Sequence, residues 1–221
     1  MMQAYLALPK RRGPGIVVIQ EIFGITDAMK EYCDFLASRQ FTVICPELYW
    51  KDAPGKVFPY DDPEPARAQR QKMDDDKVTD DINAALEFLR SHEMCIGKVG
   101  VLGFCWGGML AYLTAVRHKP DAAVGYYGTG IDKKLDQAGG LACPLMLHYG
   151  GQDPIAPPES AAAVREAFKD DSRVIVYEYP EAGHAFARRG GTTYHHKSAD
   201  LADMRSLSFL VEKLVGKGVV A

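Results

Sequence analysis

Residues 101–109 read VLGFCWGGM. Apolar residues lead into Gly103, Cys105 follows two positions later, and Gly107 stands two positions beyond that. After Trp106 a helix-like run continues to about residue 117. The pattern predicts a strand that turns sharply into a helix, with glycines where two backbones must pass closely. Such a bend holds its central residue in an unfavourable conformation and presents its side chain at the strand's carboxyl end. A cysteine there also sits at a helix N-terminus, where the partial positive charge favours thiolate over thiol.

Working outward, apolar and β-rich runs occur at 15–20, 41–45, 98–102, 122–127, 144–149 and 173–179. Most are continuous, as expected of strands covered on both faces. Residues 3–8 alternate weakly and suit an antiparallel edge strand. Helical spacing marks 26–38, 79–91, 106–117, 158–169 and 198–215, the last with Leu201, Met204, Leu207, Leu210, Val211 and Leu214 facing inward. Strand and helix alternating this way predict an α/β fold: a mostly parallel sheet flanked by helices on both faces. Residues 50–78, rich in proline and charge, are read as a surface excursion near a site. The terminal GKGVVA is expected to fray. The 221 residues, 47% of them hydrophobic, suit one domain over 1–221.

Composition excludes several roles. A formal net charge of −3 and the lack of a large basic cluster argue against nucleic acid. No segment approaches the ~20 apolar residues of a membrane helix. The N-terminal MMQAYLALPKRR carries its charge after its apolar run, the reverse of a secretory signal, so a cytoplasmic protein is expected. Five scattered cysteines with no C-x-x-C argue against disulfides and zinc. Cys33, Cys45, Cys95 and Cys143 are read as inert core thiols. His195 and His196 lack companion ligands, so no metal is expected. His148, inside a strand, is read as a satisfied core histidine.

A thiolate nucleophile needs a base, and the base needs an orienting group. The strand 144–149 ends in Gly150-Gly151-Gln152-Asp153-Pro154, and the strand 173–179 in Pro180-Glu181-Ala182-Gly183-His184. Nucleophile, acid and histidine, each just past its own strand, follow the order of the α/β-hydrolase fold. The candidate catalytic residues are therefore Cys105, Asp153 and His184. The strand 15–20 runs into Glu21 at the same sheet edge. The backbone N–H groups of Ile22 and Trp106 are the expected oxyanion donors. Glu21 itself is expected to meet Cys105, where its carboxylate would disfavour thiolate or take the thiol proton.

Gln20-Glu21-Ile22-Phe23-Gly24, Cys45-Pro46-Glu47-Leu48-Tyr49, Gly103-Phe104-Cys105-Trp106-Gly107-Gly108, Ala123-Val124-Gly125-Tyr126-Tyr127-Gly128, Gly151-Gln152-Asp153 and Glu181 to Arg188 together resemble the dienelactone hydrolase (carboxymethylenebutenolidase) family, over about residues 13 to 212. The resemblance implies a cofactor-free hydrolase that opens small anionic lactones through an acyl-enzyme, with maleylacetate as the product of dienelactone. It implies a resting thiol held by Glu21 until an anionic substrate displaces that carboxylate. It also implies two arginines on the substrate carboxylate. One matches Arg188, which on chemical grounds alone could grip a carboxylate bidentately. For the other, Arg67 and Arg70 compete, with Arg67 slightly preferred. Ala185 stands where serine is usual and Trp106 where a smaller apolar residue is usual, which bears on substrate more than on chemistry. The expected partner is a small-molecule ester or lactone, and the expected state a monomer. The alternatives are a relative acting on other esters or thioesters, a ligand sensor on the same fold, and redox sensing by Cys105.

Overall fold

The computed structural model describes residues 2–215. Seven strands form one sheet: β1 (Ala4–Ala7), β2 (Gly13–Ile19), β3 (Thr42–Pro46), β4 (Cys95–Phe104), β5 (Ala123–Tyr126), β6 (Leu145–Gly150) and β7 (Val174–Tyr179). Their spatial order is β1-β3-β2-β4-β5-β6-β7. Only β1 runs antiparallel to its neighbour, pairing Tyr5 with Cys45 and Leu6 with Ile44. The remaining strands are parallel, so their carboxyl ends share one edge.

The continuous apolar strands fill two cores at once, because successive side chains point to opposite faces. Val17, Ile19, Val99 and Val101 join one core, and Ile16, Val18, Leu102 and Phe104 the other. Helices α3 (Asp75–Ser91), α4 (Trp106–Arg117) and α5 (Pro158–Ala167) cover the first. Helices α1 (Asp27–Ser38) and α6 (His196–Leu210) cover the second. Helix α4 is largely apolar and buried from Trp106 to Ala115, ten of its 12 residues, as suits a helix under further layers. Its neighbours include the 3-10 segment Ile131–Gly140.

Three boundaries differ from expectation. The excursion 50–78 contains a helix, α2 (Glu64–Gln71), and the first turn of α3. Helix α3 starts at Asp75 rather than Thr79 because the Asp74 side chain accepts from the Asp76 N–H at 3.0 Å and caps it. The last helix packs through Ala199, Ala202, Asp203, Ser206 and Phe209 rather than the expected stripe, and it gives way to a π-helical turn at Val211–Val215. Met204, expected inside, is 64% exposed. The GKGVVA terminus lies outside the described residues. Among the described residues no helix is long and apolar enough to cross a membrane. His148 is a core histidine, bonded to Tyr179 Oη at 2.8 Å and Ser206 Oγ at 2.9 Å.

Candidate active site

Strand β4 runs to Phe104, and Cys105 follows at φ +57° and ψ −117°. This is a backbone conformation that a non-glycine residue enters at a cost of about 1–3 kcal/mol. Surrounding bonds hold it there. The Cys105 N–H donates to Tyr126 C=O at 3.0 Å, and the Cys105 C=O accepts from Gly108 N–H at 3.0 Å. The glycines are required by contact rather than by φ. A Cβ on Gly103 would fall 1.9 Å from Gly107 O, and one on Gly107 would fall 2.4 Å from Ile19 O. The end of β2 therefore lies directly against the elbow.

The loops after β6 and β7 are stitched together. Gly151 N–H donates to Tyr179 C=O at 2.8 Å, and Gln152 N–H to Ala182 C=O at 2.9 Å. This brings Asp153 beside His184. Asp153 Oδ1 accepts from the N–H groups of Ile155 and Ala156 at 2.7 and 2.9 Å, which leaves Oδ2 facing His184 Nδ1 at 2.8 Å. A carboxylate can only accept, so Nδ1 carries the hydrogen and Nε2 is free for the sulfur. Nε2 lies 3.3 Å from Cys105 Sγ. Burial alone would lower the His184 pKa, but the negative charge on Cys105 and the bond to Asp153 outweigh it and carry it from 6.5 to about 10. The arrangement thus favours the protonated form of His184. Ala185, next in the chain, is buried with φ +58°.

Glu21 is paired differently from expectation. Both its oxygens are taken by Arg188, Nε to Oε2 at 2.8 Å and Nη2 to Oε1 at 3.0 Å. The hydrogen bond of the Cys105 sulfur goes to His184 instead. The physical reason is burial. The Glu21 side chain is 1% exposed, and a carboxylate that deep needs a bidentate cation more than a weak thiol donor. Arg188 is fixed from above by Tyr60 and Phe23, whose ring centres lie 4.4 and 5.2 Å from its Cζ. The cation expected to grip substrate is therefore occupied by Glu21.

The two competing arginines separate clearly. Arg67 is on the outer side of α2, paired with Glu64, and its side chain is 53% exposed. Arg70 lies over the Trp106 ring at 4.6 Å and bonds Asp75 at 2.8 Å. The structure thus brings Arg70, and not the slightly preferred Arg67, against the residue that follows the nucleophile candidate. The Trp106 ring is held by Nε1 donating to Asp75 Oδ1 at 3.0 Å and by a stack with Tyr49 at 5.8 Å and 14°. The Trp106 N–H opens α4 and so lacks an intrahelical acceptor. Ile22 is tethered through its C=O by Tyr49 Oη at 2.8 Å.

Tyr127 was given no role from sequence. Its ring stands edge-on to His184 at 5.2 Å, and its buried hydroxyl has no hydrogen-bond partner among the described residues. Burial first, then the charge of Glu21, pushes its pKa well up, so it stays a neutral donor. The available signal was Tyr126-Tyr127-Gly128 at the end of β5, the strand beside β4.

A family model, the dienelactone hydrolase family, matches residues 2–214. The carboxymethylenebutenolidase of Pseudomonas putida is 38% identical over 204 residues, covering 91% of this chain and 86% of that protein. The carboxymethylenebutenolidase of Pseudomonas sp. strain P51 is 37% identical over 212 residues, covering 94% and 88%. A crystal structure from Klebsiella pneumoniae, described as a candidate dienelactone hydrolase, superposes with a TM-score of 0.87 at 28% identity, covering 96% of this chain and 93% of that one. With its sheet order, elbow and strand-end loops, the chain belongs to the dienelactone hydrolase family, hydrolases of ester and lactone bonds.

Proposed function

We propose that the chain hydrolyses small anionic lactones and enol esters, dienelactone among them, through a Cys105 thiolate and a covalent acyl-enzyme. The observation that carries this reading is the unbroken line Asp153–His184–Cys105, at 2.8 and 3.3 Å. The thiol proton resides on His184 Nε2. Sγ attacks the carbonyl carbon, the C=O electrons move onto oxygen, and the N–H groups of Ile22 and Trp106 stabilise that oxyanion. As the oxyanion collapses, the ester C–O bond breaks and His184 returns the proton to the leaving oxygen. In a lactone the leaving group stays attached. Water, deprotonated by His184, then attacks the thioester, and the C–S bond breaks to release the carboxylate and restore the thiolate–imidazolium pair. Nucleophile, base and oxyanion donors all come from the chain, so these steps call for no cofactor.

Glu21 fits a placeholder. A substrate carboxylate that takes the Arg188 fork releases Glu21 into the pocket that already holds Cys105 and Tyr127. This differs from a resting thiol held by Glu21, and it makes binding an exchange of one carboxylate for another. The pairing of Arg67, Arg70 and Arg188 with Glu64, Asp75 and Glu21 also favours a second reading, a hydrolase of uncharged small esters or thioesters.

Turnover of dienelactone and of p-nitrophenyl acetate by the wild type and by Arg188→Met/Glu21→Gln decides between them. The double substitution removes the buried pair without stranding either charge. An anion-directed enzyme is expected to lose about 30- to 100-fold in kcat/KM on dienelactone, the worth of a charge-assisted bidentate contact, with the neutral ester nearly unaffected. Equal small changes on both substrates would rule out the anionic substrate class.

A further inference from the structure

Two buried side chains behind the elbow have no part in the bond-making steps. Gln20 is fully buried at the end of β2. Its Oε1 accepts from Leu48 N–H at 3.3 Å, and its Nε2 donates to Glu21 C=O at 3.3 Å. In a trans peptide the C=O and N–H point opposite ways. Drawing the Glu21 carbonyl toward Gln20 therefore turns the Ile22 N–H away from it. One residue on, Tyr49 Oη donates to Ile22 C=O at 2.8 Å, so residue 22 is fixed on both sides. The backbone here abuts the elbow, since a Cβ on Gly107 would fall 2.5 Å from Gln20 O.

The same Tyr49 lies parallel to the Trp106 indole at 5.8 Å. That indole is bolted to the rest of the fold through Asp75 and capped by Arg70. Tyr49 is thus a single rigid link between residue 22 and residue 106, whose backbone N–H groups must converge on one oxygen. Both links come from Leu48 and Tyr49, just past β3 and outside the triad loops.

We infer that Gln20 and Tyr49 are positioning residues that, through the Tyr49–Trp106 stack, set the angle between the two oxyanion-hole donors. The inference rests on Cys105 being the nucleophile. Donors aimed at a charge that exists only after attack act on the transition state, so their misalignment lowers kcat and leaves KM.

Tyr49→Phe tests this, because it deletes one hydroxyl and keeps the stacked ring. With p-nitrophenyl acetate, kcat is expected to fall about tenfold with KM within about twofold, the scale of a displaced rather than deleted donor. Butyraldehyde should probe the same hole. The thiol adds across its C=O, forming the S–C bond and an oxygen in the oxyanion position, so its inhibition should weaken by the same factor. Alkylation of Cys105 by iodoacetamide makes no oxyanion and should keep its wild-type rate. Gln20→Met, which removes the other tether, should repeat the pattern. If it does not fold, Tyr49→Phe decides alone.

A Tyr49→Phe enzyme with wild-type kcat and aldehyde inhibition overturns the proposal. So does a kcat loss matched by slower alkylation, since that marks general disorder of the site. A wild-type enzyme that iodoacetamide leaves fully active overturns the nucleophile itself, and this inference with it.

Discussion

At Glu21 the molecule has placed a buried carboxylate against a guanidinium fork. Arg188 holds it at 2.8 and 3.0 Å, and Tyr60 and Phe23 close over the guanidinium. Glu21→Gln removes the competing charge while keeping the shape. The KM for an anionic lactone is then expected to fall several-fold, about what a partly buried charge contact contributes, with the KM for p-nitrophenyl acetate unchanged. A fall in kcat at constant KM would instead identify Glu21 as the base that activates the thiol. His184 carries a second test at this scale. Its pKa stands near 10 in the fold, against 6.5 when exposed. The folded state therefore holds a proton that the unfolded chain has lost between those values, and stability must fall as pH rises. The excess stability of the wild type over His184→Gln is expected to be complete below pH 6.5 and to vanish as pH rises through about 10, read from urea midpoints. A difference independent of pH would show that His184 is not held protonated by the fold.

Elements explain which parts of the site could be read from sequence. Cys105, Asp153 and His184 were legible because each follows its own strand, and parallel strands deliver their carboxyl ends to one edge. The glycines at 103 and 107 were legible for the same reason, since a strand cannot fold back into a helix so tightly past a Cβ. Gly107→Ala drives a methyl into the Ile19 and Gln20 carbonyls at 2.4 and 2.5 Å. It is expected to cost about 3 kcal/mol or more, seen as a lost or sharply lowered Tm, because neither backbone can yield without moving the elbow. An alanine variant of unchanged Tm and kcat would show that the bend is not held by that crossing. Partner choice was not legible. Glu21 and Arg188 lie 167 positions apart, and nothing local tells a carboxylate whether a thiol or a guanidinium will face it. Helix α2 was missed because Pro63, Pro65 and dense charge hide its short periodicity. Met204 was misplaced because α6 turns its small and polar face inward, Ala199, Ala202, Asp203 and Ser206, where Asp203 and Ser206 bond buried tyrosines and His148.

At the scale of the molecule, two histidines bound the pH range of the fold from opposite sides. His148, buried between β7 and α6, has its pKa lowered by burial, and then by Arg205, to about 3. Below pH 6.5 the unfolded chain takes up a proton that the folded chain refuses, so stability falls as pH falls toward 3. His148→Gln is expected to flatten that acid limb while leaving the alkaline limb set by His184. An unchanged acid limb in chemical unfolding would place the acid sensitivity elsewhere. The same sheet that buries His148 carries the site at its edge, where the loops after β6 and β7 line up Asp153 and His184 on the Cys105 sulfur. Whether that sulfur carries the acyl group is open to direct observation. The enzyme is mixed with p-nitrophenyl acetate, quenched in acid within the first turnovers, digested and mapped by mass spectrometry. One acetyl group on the peptide containing Cys105 is expected in the wild type, with both adduct and hydrolysis lost in Cys105→Ala. An unmodified Cys105 peptide, together with a Cys105→Ala enzyme that hydrolyses the ester at the wild-type rate, would contradict it.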